Sequence, residues 1–434
     1  MKKGIFFLLL NTIVTMLTGQ TALTISQAVE KGLRNSYDIR ISRTHTAMAN
    51  QRLKAAKKER LPTVNVFAQQ GNIIINDRSP TTFINDFYRD RNLAVGIDGT
   101  WVVFDRFEGK RNKKQYSLTK EDRELKEKLA IENTVYTILL AYYDALIRKE
   151  ALFVAEQSKE LSNKRLKDAQ VKENLGKISR YDLLRFENVL LLDATNVLQK
   201  ERALETALVQ LNTAMGIQRK EVYQLSTSLQ YERRDYDLPS LYRTLEQQNK
   251  NLLSQNLVVE MTKLNTTATK NASLPSLSIH SGLSQSFNST IFPETPRIKG
   301  NTFQFNLQFA ANYNLFDGGI RKRATSDSKL QEQIALLEVD RLKINLYHQL
   351  DNAVESYTQQ LEILSSIEEL LRNLKLNLEL EQDRYTNGLS SALDFRAVQL
   401  EYTNAQFAKL ETIYQLIINE LTILQLTGTL DKGN

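Results

Sequence analysis

Few residues in this chain have types and spacing that could do chemistry. His45, His280 and His348 stand alone, with no HExxH, P-loop or GxSxG pattern. The chain has no cysteine, which removes thiol catalysis, zinc–thiolate sites, disulfides and a lipidated cysteine. The expectation is a protein that is not an enzyme and holds no cofactor or metal. Two carboxylates are better placed. Asp182 and Asp394 each follow a serine by three positions, as Ser179-x-x-Asp182 and Ser391-x-x-Asp394, just after stops at Gly176 and Gly388. That spacing is a helix capping box, in which the carboxylate satisfies an amide and the helix dipole. A third chemistry is passive: Gln304, Asn306 and Gln308 alternate with Phe303, Phe305, Leu307 and Phe309, so one face of an extended segment is amide-rich and the other apolar.

The element carrying that alternation lies within Thr302–Gly319, and the pattern is repeated from Leu93 to Val103. The two segments end alike, in Phe104-Asp105 and Phe316-Asp317, and their upstream partners begin at Leu61-Pro62 and Leu274-Pro275. Two hairpins result, over 61–104 with a loop from Asn76 to Arg91, and over 274–316. A run of about 13 alternating residues fits a tilted membrane strand of ~9–11 residues plus an overhang. Phe303, Phe305, Leu307 and Phe309 are then expected to face lipid, and Gln304, Asn306 and Gln308 a watery lumen.

With 41% hydrophobic residues but only 16 Gly and 6 Pro in 434 residues, most of the chain must be helix. Lys2 and Lys3 precede an apolar run from Ile5 to Leu17, so residues 1–20 read as a secretory signal cleaved between Thr18 and Ala22. The net charge of +7 gathers at Lys54–Arg60, Lys110–Lys114 and Arg321–Arg323, beside the strands and without interleaved aromatics. This favours anionic lipid head groups or a solvated face over nucleic acid. Trp101 and Tyr313, near strand ends, read as interface aromatics or as residues buried against a helix.

Helices fill the rest. Leu23–Arg60 reads as one helix ended by Pro62, and Ser240 to about Ala272 as its counterpart. Long helices follow over Phe107–Leu175 and Ile320–Thr386, each spanning ~100 Å at 1.5 Å per residue. In the first, Leu125, Leu139, Leu146 and Phe153 recur at sevens or multiples; in the second, Leu350, Tyr357, Leu364, Leu371, Leu378 and Tyr385 do. Shorter helices run from the capping boxes to Met215 and Thr427. Asp105 and Asp317, Gly176 and Gly388, Asp182 and Asp394, and Gly216 and Gly428 are each 212 positions apart. The chain is therefore a duplication: a first repeat over 21–216, an unassigned linker over 217–238, a second repeat over 239–428 and a tail over 429–434.

Four strands cannot cross a membrane as an open sheet, because unpaired edge groups cost several kcal/mol each in lipid. Two copies would make an eight-stranded barrel filled by side chains; three make twelve strands with an aqueous lumen. The expected fold is mainly α with membrane β: an elongated body of duplicated long coiled-coil-like helices, with two hairpins per chain entering a trimeric 12-stranded barrel.

Taken together, Leu61-Pro62 and Leu274-Pro275, the Leu315-Phe316-Asp317-Gly318-Gly319 junction, the Gly388–Asp394 turn and Leu426-Thr427-Gly428 resemble the TolC family of outer-membrane efflux channels over essentially the whole mature chain. The resemblance implies a homotrimer in the outer membrane of a Gram-negative bacterium, in contact with outer-membrane lipid, whose 12-stranded barrel continues into a large periplasmic tunnel formed by the helices. Its implied partners are a periplasmic adaptor (membrane fusion) protein and an inner-membrane transporter, in an efflux or type I secretion system. It implies a periplasmic gate at Asp394, with Asp182 its first-repeat counterpart, and adaptor contacts at the turns, for which Gly176, Ser179, Gly388, Ser390 and Ser391 are the candidates. A second acidic residue usual in the family is replaced by Ala397 here, and by Arg185 in the first repeat. The competing reading is an exported adhesive or structural trimeric coiled coil, which has no use for duplicated amphipathic hairpins.

Overall fold

A computed structural model describes residues 21–56, 58–76, 87–218, 221, 223–229, 231–292 and 296–430. The expected signal, most of the first hairpin loop and the last four residues lie outside them. The elements in chain order are β1 (Thr21–Leu23), α1 (Ile25–Asn35), α2 (Tyr37–Ala55), β2 (Thr63–Asn76), β3 (Phe87–Phe104), α3 (Glu108–Asn174), α4 (Arg180–Ala214), β4 (Tyr223–Leu225), α5 (Leu238–Gln248), α6 (Lys250–Asn271), β5 (Ser276–Ile291), β6 (Ile298–Asn312), α7 (Ile320–Thr386) and α8 (Ala392–Thr427). The two 67-residue helices, α3 and α7, start and end 212 positions apart. Contacts divide the chain into a strand-bearing unit, Arg40–Leu129 with Asn249–Leu346, and a helical unit made of the chain up to Ile39, Ala130–Gln248 and the chain from Tyr347 onward.

In the strand-bearing unit one antiparallel sheet runs in the order β2-β3-β5-β6. The strands outrun the apolar alternation that announced them. β3 begins at Phe87, well inside the expected Asn76–Arg91 loop, and β6 begins at Ile298 rather than Thr302. Backbone pairing does not require an apolar side chain, so Lys299 and Asn301 stay in register with Ser289 and Phe287. At the other end β6 stops at Asn312 because its partner Ser276 is the first residue of β5, after Pro275; Tyr313 and Leu315 therefore lie outside the strand. Beside the sheet, α2 packs on α3 through the Thr46 hydroxyl donating to the Arg123 carbonyl (3.2 Å), and α6 on α7 through Thr266 donating to the Ser328 carbonyl (3.2 Å).

The strand-to-helix junctions show how the duplication has diverged. Gly318 and Gly319 take φ of 66° and 84°, and their first-repeat counterparts Arg106 and Phe107 take 57° and 65°. A left-handed conformation costs a residue with a Cβ about 1–2 kcal/mol. Two contacts offset it: Arg106 donates to the Ser276 hydroxyl at 3.2 Å, and the Phe107 ring meets Phe104 edge-on at 5.3 Å between centroids.

The expected Leu23–Arg60 helix is two helices, broken at Ser36 in the helical unit, and Ser240–Ala272 is broken at Asn249, where the chain passes into the strand-bearing unit. In each case a short polar side chain takes over a free amide: Ser36 Oγ accepts from the Ile39 N–H at 3.4 Å, and Asn249 Oδ1 from the Leu252 N–H at 3.0 Å. The sevenfold seam of α7 holds, with Leu350, Tyr357 and Tyr385 buried and Leu364, Leu371 and Leu378 partly buried. The α3 seam does not reach Phe153, which is 56% exposed. It shifts to Ala151, Ala155, Ser158, Ser162, Arg165 and Ala169, all buried and spaced four, three, four, three and four apart. Apart from Arg165 these side chains are small, which lets the neighbouring helices come close. A Cβ on Gly32 would likewise overlap the Ile138 side chain, so that glycine sets the approach of α1 to α3.

The segment without assignment, 217–238, contains β4, which pairs in parallel with β1. The Tyr142 hydroxyl, fully buried, donates to the Leu23 carbonyl at 2.8 Å beneath this pair. Further along, Arg234 pairs with Glu420 at 3.0 Å. Burial pushes the Glu420 carboxyl above its ordinary range, and Arg234 partly opposes that rise.

Candidate functional site

The sheet offers a surface and the helix turns offer charge. On β6, Phe303, Phe305, Leu307 and Phe309 are 66%, 63%, 53% and 73% exposed, far above what a row of aromatic and aliphatic side chains in a water-soluble chain would leave uncovered. Register puts Val66, Ile97 and Leu283 in one row with Phe305. The opposite face of that strand carries Gln304, Asn306 and Gln308, opposite Ser284, Gly282 and His280. A Cβ on Gly282 would meet the Asn306 amide oxygen at 2.5 Å, so a side chain there would have to displace that amide. The His280 ring sits between the Thr100 hydroxyl (3.1 Å) and the Ser278 hydroxyl (2.9 Å), which satisfies both ring nitrogens. The Trp101 indole donates to the Arg60 carbonyl at 2.9 Å.

At the turns both capping boxes are closed. Ser179 Oγ accepts from the Asp182 N–H at 3.1 Å and donates to its carboxylate at 2.7 Å, while the carboxylate accepts from the Ser179 N–H at 3.2 Å. Ser391 and Asp394 repeat this at 3.3, 2.7 and 3.2 Å. The serine hydroxyl, then the serine N–H, holds each carboxyl below the usual carboxylate range. Both therefore carry full charge at neutral pH. The Ser390 hydroxyl bonds the Glu381 carboxylate and lies 3.4 Å from the carbonyl of the cap residue Ser391, taking no part in the capping box itself. Within one chain the described residues form no hydrogen bond or ion pair between Asp182 and Asp394.

Gly176 and Gly388 take φ of 69° and 74°, and an added Cβ would meet nothing within 4 Å at either. The penalty for a side chain there is conformational only. Gly388→Ala is expected to destabilise the turn by about 1–2 kcal/mol, measured by amide exchange in the first turn of α8. A loss well above that would reveal a contact at this position.

Behind the turns lies a polar cluster that no short motif announces. Asp193 of α4, on the same stripe as the buried Leu183, Phe186 and Val197, accepts two bonds from the Arg396 guanidinium of α8, at 2.6 and 2.9 Å. Ser162 of α3 donates to the same carboxylate at 2.5 Å, and Gln399 donates to the Ser158 hydroxyl at 3.2 Å. Arg165, also buried, lies over the Phe395 ring at 4.4 Å and the Tyr385 ring at 5.2 Å. Burial lowers the Arg165 pKa, opposed by Asp168. Helices of both repeats are thus tied together beside the turns. The one signal in the sequence was a charged residue on an otherwise apolar helical stripe.

No curated protein matches the chain in sequence. Residues 241–429 match the family model of outer membrane efflux proteins. Among solved structures, the chain is similar to CusC, a transmembrane channel (14% identity over 94% of this chain and 93% of that one, TM-score 0.78). It is also similar to the Campylobacter jejuni outer membrane channel CmeC (15%, 93% and 85%, TM-score 0.76) and to the Neisseria gonorrhoeae outer membrane channel MtrE in its open state (15%, 94% and 89%, TM-score 0.74). Residues 241–429 thus carry the pattern of the outer membrane efflux protein family, in a chain whose fold over nearly its whole length is that of solved outer membrane channels.

Proposed function

We propose that this efflux channel works as a homotrimer in the outer membrane of a Gram-negative bacterium, giving solutes a passive exit from the periplasm. A periplasmic adaptor and an inner-membrane transporter would supply the solute and the energy. The observation that carries the reading is the open sheet: among the described residues β2 and β6 are edges without partners, and one face is an exposed apolar row. Neither water nor lipid tolerates that arrangement, whereas three copies close it into a 12-stranded barrel with the amide face inside. No described helix is long and apolar enough to cross a membrane. Neither the fold nor the family match supports the adhesive coiled coil.

The turns at Gly176 and Gly388 are the proposed adaptor contacts, with Ser179, Ser390 and Ser391. Asp394, with Asp182, is the proposed gate. Three copies of a carboxylate held in its charged form by its own cap would favour cations at a narrow mouth. Within one chain the cap lowers the Asp394 pKa, opposite to the rise that mutual repulsion of three copies would produce. The test is single-channel recording in planar bilayers with the detergent-purified trimer. Asp394→Asn, which keeps an acceptor for the cap, is expected to reduce cation preference and block by multivalent cations, more than Asp182→Asn does. A wild-type protein that is monomeric and non-conducting overturns the channel reading. Unchanged selectivity in a normally folded Asp394→Asn trimer leaves capping as the whole role of that residue.

A further inference from the structure

Charges on the sheet are sorted by face. Arg91 and Lys299 flank Ser289 in one row, on the face that carries Leu93, Phe287 and Phe305. The Arg297 guanidinium donates to the Ser289 hydroxyl, which brings it to the same face. Carboxylates take the opposite face: Asp90 accepts from Thr290 at 3.1 Å, and Asp98 from Asn65 at 3.0 Å. Among the described residues none of Arg91, Arg297 and Lys299 is ion-paired. The three line a cleft of about 510 Å³ together with Leu93 and Phe287, its two large apolar side chains.

Height along the strand matters as much as face. Trp101 and Arg91 lie on one face of β3, ten residues apart. Ten residues of strand cover ~33–34 Å, which a tilt of ~35–45° reduces to roughly 24–28 Å. That is the height of the apolar band of a membrane barrel, about 25 Å. With Trp101 at the border next to the helices, the cations lie at the border next to the hairpin loops.

We propose that Arg91, Arg297 and Lys299 bind the phosphate groups of a phosphorylated glycolipid in the outer leaflet, with Leu93 and Phe287 against its first acyl carbons. The proposal rests on the channel reading, which turns the hairpin loops to the cell exterior. Two guanidinium groups and an ammonium match phosphate oxygens, and the apolar side chains of Leu93 and Phe287 beside them favour a lipid over a free anion.

The test uses the full-length trimer in detergent, titrated with bisphosphorylated lipid A and with the same lipid dephosphorylated, and bound lipid counted by native mass spectrometry. Wild type is expected to prefer the phosphorylated lipid by at least about tenfold. The Arg91→Gln/Arg297→Gln/Lys299→Gln variant loses that preference with unchanged single-channel conductance, and Lys299→Arg retains it. Equal affinity of wild type and the triple variant, equal binding of the dephosphorylated lipid, or displacement by equimolar inorganic phosphate overturns the assignment. Failure here with conductance intact leaves the channel reading standing; a wild type without trimer or conductance removes both.

Discussion

Arg396→Met is expected to be the most damaging single change in the helical unit, costing about 3–5 kcal/mol. The Asp193 side chain is 7% exposed and receives two bonds from Arg396, so removing the guanidinium leaves a buried carboxylate with Ser162 as its main remaining donor. Met keeps much of the stem volume, which separates the loss of charge from the loss of packing. Amide exchange along α4 and α8 should quicken by at least about a hundredfold, since each 1.4 kcal/mol is a factor of ten. The double variant Asp193→Leu/Arg396→Met should recover most of the loss, because an apolar pair needs no compensation for a buried charge. A double variant as unstable as Arg396→Met would mean that the guanidinium acts through packing instead.

Phe305→Arg is the second large effect. Phe305 lies midway along β6, in a row with Ile97 and Leu283 on the apolar face. An arginine at the middle of a lipid-facing strand costs about 2–4 kcal/mol per chain, and a trimer incurs it three times. The expected result is little or no trimer in the outer-membrane fraction. Asn306→Arg, one residue along and on the other face, should assemble normally and change only conductance. Equal trimer yields from both variants would refute the assignment of faces.

Why some elements were readable and others not follows from the range over which each signal acts. The strand alternation is a local pattern of period two, and the Ser-x-x-Asp boxes span four residues, so both were legible. The breaks at Ser36 and Asn249 were not, because one polar residue among good helix formers carries no Gly or Pro mark. β1 and β4, at three residues each, are too short to show a period, and their pairing joins residues about two hundred positions apart. Phe153 was placed in the α3 seam by extending the heptad, but the helix packs there through Ala151 and Ala155. The Asp193–Arg396 pair joins residues 203 positions apart, beyond any spacing rule. The basic row of Arg91 and Lys299 became visible only once register placed the two strands side by side.

The sheet order has a consequence for how the channel forms. Within a chain the two hairpins meet at the β3·β5 seam, which closes by a first-order event whatever the protein concentration. In the proposed trimer the remaining seam joins β6 of one chain to β2 of the next, so it depends on encounters. Around the ring first-repeat and second-repeat hairpins alternate, and the six seams fall into two kinetic kinds. Dilution acts on the three between chains and leaves the three within them untouched. Damage in β3 or β5 therefore shows as a misfolded protomer, and damage in β2 or β6 as a folded one that waits for its neighbours.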